Sequence, residues 1–296
     1  MIQICHKNYT SFVHFYGTIL AMDQDYYQQQ NLSQRMPDGT ILPRRLSTDA
    51  RDKRSLENFS PAKLKDWRFW VPLIVIVISL NLVWWRLPLM HTQDLEGDLT
   101  WALAPLFGYT ITIAIGIALM MTQNFRSLLS YLFFAFSFLF TFNSLIQARH
   151  DIWLLLLILV AFFIGVQQLC LGLQNIFGLI LLSVLATFTI PIAIFYSENN
   201  YLTQKFIIQL LPMFFAFFFY FTPIIMPNPD GRKLSLLSIG LFWAALLSHH
   251  VGATTIVIFI LSMFAFVLQF VKARIGNWQN MIYVFLLALS ILLVYQ

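Results

Sequence analysis

The residues of this chain that could do chemistry are few and stand apart. His91, Asp94, Glu96 and Asp98 fall close together, Arg149, His150 and Asp151 are consecutive, Glu198 precedes Asn199 and Asn200, and His249 adjoins His250. Imidazole and carboxylate are suitable ligands for a divalent cation. They are also natural partners in general acid–base catalysis. By type and grouping, His91, Asp94, Glu96, Asp98, His150, Asp151, His249 and His250 are the candidate catalytic or metal-ligating residues. Their spacing identifies neither a metal nor a cofactor. The chain has no phosphate-binding glycine loop, dinucleotide fingerprint, nucleophile elbow or zinc-protease helix motif.

What must position these residues is almost entirely apolar. Hydrophobic residues make up 59% of the chain and charged residues 10%, against about 25% charged in an average soluble domain. Phenylalanine alone occurs 30 times. A water-soluble fold cannot bury that much apolar surface, so the excess must face lipid. The composition predicts an all-α, polytopic membrane helix bundle. The apolar runs fit about nine transmembrane helices, at 69–85, 101–121, 127–146, 152–170, 176–196, 206–225, 233–248, 253–271 and 279–295. Leu234 to Val271 is one apolar stretch, too long for a single crossing at about 1.5 Å per residue. It is expected to form two helices meeting near Ser248, His249, His250 and Gly252.

Residues 1–59 read as a flexible basic cytoplasmic tail and residues 60–296 as the transmembrane helical domain. Thr10 to Met22 lacks a charged flank and a cleavage site, so no signal peptide is expected and the true start could be Met22 or Met36. Ser60-Pro61 marks a helix start, followed by the basic and aromatic mixture of an interfacial segment in Lys63, Lys65, Trp67, Arg68 and Trp70. With the N-terminus inside, fourteen Lys and Arg fall in cytoplasmic segments and only Arg86, Arg149 and Lys205 in outer ones. The positive-inside rule therefore favours N-terminus inside and C-terminus outside. The basic pI follows from the same flanking residues, and no nucleic-acid partner is implied. Trp67, Trp70, Trp84, Trp85, Trp101, Trp153 and Trp278 are expected at interfaces and Trp243 within a span.

This topology sends all the candidate residues to the outer face, with Asn81, Asn143, Gln147 and Gln209 near the same ends. Asp94-Leu-Glu96-Gly-Asp98 resembles, in position only, the acidic first outer loop of glycosyltransferases that use polyprenyl-phosphate sugars. The plainer account is a solvated connection, since polar residues must leave the bilayer somewhere. No Asp, Glu, Lys or Arg falls within a proposed membrane core, which argues against a buried coupling site for protons. Pro105, Pro191, Pro212 and Pro223 can kink or break helices. Phe133-Phe134-Ala135-Phe136 recurs as Phe214-Phe215-Ala216-Phe217, a match that chance supplies in so phenylalanine-rich a chain. Cys5 and Cys170 are too far apart in sequence for a disulfide framework. The glycosylation acceptors at Asn8, Asn31 and Asn58 would lie unused in a cytoplasmic tail.

Three functions fit this sequence. The first is a bacterial inner-membrane protein that transports, or confers tolerance to, a hydrophobic or amphipathic small molecule such as a drug. The second is a membrane enzyme with an outer-face His/Asp/Glu site acting on a lipid-linked envelope substrate. The third is a scaffold whose cytoplasmic tail recruits a partner. The first asks only for an aromatic, apolar cavity and proline-broken helices, and is preferred. Apart from the lipid bilayer and such a molecule, no partner is identified.

Overall fold

The computed structural model describes residues 67–93, 104–123, 125, 127–143, 146, 150–168, 171–199, 201–249, 252–270 and 277–296. The tail, the basic segment before Trp67, Asp94, Glu96, Asp98, Trp101 and His250 lie outside the described residues. Among the described residues the secondary structure is helical, with no strand. The helices are α1 (Trp67–Gln93), α2 (Ala104–Thr122), α3 (Leu128–Phe140), α4 (His150–Val166), α5 (Ile176–Asn199), α6 (Gln204–Gln209), α7 (Leu211–Ile225), α8 (Pro229–His249), α9 (Ala253–Leu268) and α10 (Asn277–Val294).

Among the described residues four helical stretches, Trp67–Met90, Ala104–Thr122, Ile176–Ser197 and Gln204–Ile225, are long and apolar enough to cross a membrane. Shorter apolar helices run over Leu128–Phe140, His150–Val166, Ala253–Leu268 and Trp278–Val294. Several of these turn apolar stripes outward, as lipid-facing helices do. On α1 the exposed residues are Ile74, Ile78 and Leu82; on α9 they include Ile256, Ile260, Phe264 and Val267. Spacings of three and four put each set on one helix face, and water would not tolerate apolar faces of this extent.

Side-chain contacts give the direction of several helices. At one end Trp67 meets Trp278 with ring centroids 5.9 Å apart, and near the other Arg86 donates to the Tyr295 carbonyl at 3.0 Å, so α1 and α10 run in parallel. These are the Trp67 end and the Tyr295 end. α2 runs oppositely, as the bonds from Trp85 to Thr110 (3.1 Å) and from Asn280 to the Met121 carbonyl (3.1 Å) require. α3 returns beside α2 and α4 beside α3, the latter tied by Ser130 to Gln167 at 2.9 Å. α1, α5, α7 and α10 pack on one another as the inner helices, with the rest around them.

Helix ends are closed locally, as an apolar medium demands of orphaned N–H groups. The Ser127 hydroxyl accepts the Ser130 N–H at the start of α3, and the Thr203 hydroxyl accepts the Phe206 N–H at the start of α6. The Asn175 side chain accepts the Gly178 N–H at 3.0 Å before α5. Gly178 is required there, because a Cβ would stand 1.7 Å from the Leu173 carbonyl oxygen.

The structure corrects several expectations in detail. The apolar stretch from Leu234 holds two helices, as expected: Trp243 donates to Ser262 at 2.8 Å and Gln269 to Ser235 at 2.6 Å, which makes α8 and α9 antiparallel; other expectations change. α1 continues through Pro88 to Gln93, so Arg86 lies on a helix rather than in a loop. Trp84 is fully buried rather than interfacial, with its indole N–H on the Ala186 carbonyl at 2.9 Å. Asn81 falls in the middle of α1, not near its end. α5 runs unbroken through Pro191, whereas α6 and α7 are interrupted just before Pro212. Ala135 and Phe136 are exposed where Ala216 and Phe217 are buried, so the repeated Phe-Phe-Ala-Phe segments occupy different environments.

Candidate functional site

At the Tyr295 end, α1, α6 and α10 converge with the α8–α9 turn around a cavity of about 400 Å³. The apolar part of the lining is Leu87 and Met90 from α1 with Leu293 and Val294 from α10. The remainder is polar, made by Lys205, Gln209, His249, Thr254, Tyr295 and Gln296.

Local sequence explains how these side chains reach one place. α10 ends at Val294, and Tyr295 turns its phenol back to donate to the carbonyl of Gln209, where α6 breaks. Its ring meets the His249 ring edge-on at 6.0 Å between centroids and 76° between planes. Arg86 donates to the Tyr295 carbonyl, one of the acceptors a helix leaves unpaired at its C-terminus, where the helix dipole also favours a cation. The Arg86 Nε–H is buried, with no hydrogen-bond partner among the described residues.

The sequence candidates are distributed unevenly around this cavity. His249 lines it. His91 follows Met90 in the last turn of α1. His150 and Asp151 occupy the exposed first turn of α4 and do not line the cavity. Asp94, Glu96, Asp98 and His250 are outside the described residues. Among the described residues no three His, Cys, Asp or Glu side chains gather as a metal site would need.

In sequence Arg86, Lys205 and Gln209 stand only as outer polar residues, and Tyr295 carries no mark of a role. Charge and position were visible for the first three. Tyr295 offered no signal, because its partners Gln209 and Arg86 are 86 and 209 positions away.

Elsewhere buried hydroxyls tie helices together. Tyr109 donates to the Leu156 carbonyl at 2.7 Å, linking α2 and α4, and the Tyr220 and Ser290 hydroxyls meet at 2.7 Å between α7 and α10. Comparison with protein-family models, with characterised proteins and with solved structures finds no match to this chain.

Proposed function

We propose that this protein is a multi-pass protein of the bacterial inner membrane that binds and transports an amphipathic small molecule through the cavity at the Tyr295 end. The observation that carries the reading is the mixed lining, which joins Leu87, Met90, Leu293 and Val294 with Lys205, Gln209, His249 and Thr254. A molecule with one apolar and one polar end satisfies both kinds of lining group, whereas a wholly polar solute would leave the apolar side chains without a partner. The proposed topology has nine crossings, the N-terminal tail in the cytoplasm and the cavity facing outward. The charge bias of the connecting segments supports that orientation.

The test is accumulation of a panel of amphipathic compounds in cells lacking or overproducing the protein, with and without an uncoupler. A difference that disappears in Leu293→Trp, a half-buried lining position, in protein that still inserts and purifies as a monodisperse peak, supports the reading; an uncoupler-sensitive difference also identifies the energy source. If overproduction alters the accumulation of no compound in the panel, the transport reading fails. Altered lipid-linked envelope precursors in His150→Ala, Asp151→Ala or His249→Ala would instead favour the membrane enzyme.

A further inference from the structure

The span from Gln204 to Ile225 is interrupted at Leu210, and the interruption has two causes. Pro212 has no N–H, so the Ile208 carbonyl lacks its helical donor in any arrangement of the span. The second cause comes from elsewhere in the chain. In a continuous helix the Gln209 carbonyl would accept the Met213 N–H. Instead it accepts the Tyr295 hydroxyl, and that hydroxyl also receives the Met213 N–H. A side chain set into the backbone ladder in this way breaks a helix. Arg86 fixes Tyr295 from behind by donating to its carbonyl at 3.0 Å.

The break is shallow. Leu210 has φ −73° and ψ −14°, about 30° in ψ from an ordinary α-helix. α6 is also lightly held: of its six residues only Phe206 is buried, stacked on Phe195 with ring centroids 4.1 Å apart. Next to an apolar medium the Gln209 carbonyl needs a donor, and two are at hand, the Tyr295 hydroxyl and the Met213 N–H. We propose that Tyr295 is a latch on this span. With its hydroxyl in the break, α6 is a separate helix that places Lys205 and Gln209 in the cavity lining. With the hydroxyl withdrawn, the Met213 N–H bonds the Gln209 carbonyl, α6 continues α7, and those two side chains leave their places. The latch is a property of the fold and goes beyond the transport reading; only its use as a gate rests on that reading.

The experiment uses the full chain in phosphatidylcholine nanodiscs, with Cys5 and Cys170 replaced and no ligand added. Pairs of spin labels are placed at exposed positions, Gln204→Cys on α6 with Ile256→Cys on α9, and Gln204→Cys with Ile78→Cys on α1. The pair at positions 78 and 256 is the control for an intact bundle. Tyr295→Phe keeps the ring and removes only the hydroxyl. From Leu210 to Gln204 is about 9 Å at about 1.5 Å per residue, so a turn of about 30° moves the label site by about 4–5 Å. Tyr295→Phe should therefore add a second distance from position 204, shifted on that scale in at least one pair, with the control distance unchanged. Combining it with Phe206→Leu, which loosens the other anchor of α6, should complete the shift.

Unshifted distances in both variants would overturn the latch. So would an equal shift in Phe206→Leu alone, since the hydroxyl would then hold nothing. A changed control distance in Tyr295→Phe would make Tyr295 a general packing residue and overturn the latch as well. The two readings fail separately. If no compound is transported, the transport reading falls and the distances still decide the latch. If Tyr295→Phe shifts the distances but leaves the accumulation of transported compounds unchanged, the gate is removed and the latch stands.

Discussion

Gly116 gives the sharpest test of how the bundle is packed. It lies on α2 against α3, and a Cβ there would stand 2.5 Å from Cε1 and 2.7 Å from Cδ1 of Phe134. Phe134 cannot swing aside, since it is fully buried and stacked on Phe163 with centroids 5.6 Å apart. In a helix interior Gly→Ala alone contributes about 1 kcal/mol of stability. Overpacking a filled site costs about 1–3 kcal/mol. With two ring atoms below 3 Å the upper part of that range applies, so Gly116→Ala should be destabilised by about 1–2 kcal/mol net. Gly240 on α8 is the control, because a Cβ there meets nothing within 4 Å. Gly240→Ala should be neutral or stabilised by up to about 1 kcal/mol. Gly108 is intermediate: its neighbour Phe140 is 36% exposed and can rotate away.

The assay is thermal unfolding of the purified variants in one detergent, read as loss of a monodisperse peak after heating. For Gly116→Ala a drop of about 2–8 °C is expected, at about 2–4 °C per kcal/mol. Combining it with Phe134→Leu, which removes the obstructing ring edge, should cost less than the sum of the two single changes. A Gly116→Ala protein as stable as Gly240→Ala would refute the close approach of α2 and α3.

Four further outcomes follow from other contacts. Gly178→Ala should cost more than Gly116→Ala in the same assay, because its Cβ meets the Leu173 backbone oxygen at 1.7 Å and only a shift of the chain before α5 can relieve it. A double-mutant cycle of Trp243→Phe and Ser262→Ala should give a coupling of about 0.6 kcal/mol, the mean for hydrogen bonds between membrane helices; zero coupling would mean the 2.8 Å bond does not form. Arg86→Met should lower stability by about 1–3 kcal/mol through the unpaired Tyr295 carbonyl, measured by thermal unfolding without ligand. Cysteines introduced as His249→Cys and Arg274→Cys, in a background lacking Cys5 and Cys170, should react with a membrane-impermeant maleimide only at position 249 in intact cells; labelling of both refutes the proposed topology.

The sequence by itself determined the class of structure, because composition is a sum over residues and needs no contacts. A chain with so little charge and so much phenylalanine can be arranged only with apolar faces outward, and its polar breaks fall close to where the helices end. Even the split of residues 234–271 was legible, since a single helix of that length exceeds a bilayer. What sequence could not determine is which polar residues leave the interface for the interior. Trp84 and Trp85 both read as interfacial, yet Trp84 is buried on the Ala186 carbonyl while Trp85 bonds Thr110 on α2.

The candidate site divides in the same way. Histidine and carboxylate type drew attention to His150 and Asp151, which end in an exposed first turn, and to His249, which lines the cavity. Its companions come from α1, α6 and α10, elements remote in sequence, and only the packing of those helices brings Leu87, Lys205, Gln209 and Tyr295 around His249. Residue type fixes what a side chain can do; which side chains act together is decided by packing between distant helices, and no local pattern in one chain encodes it.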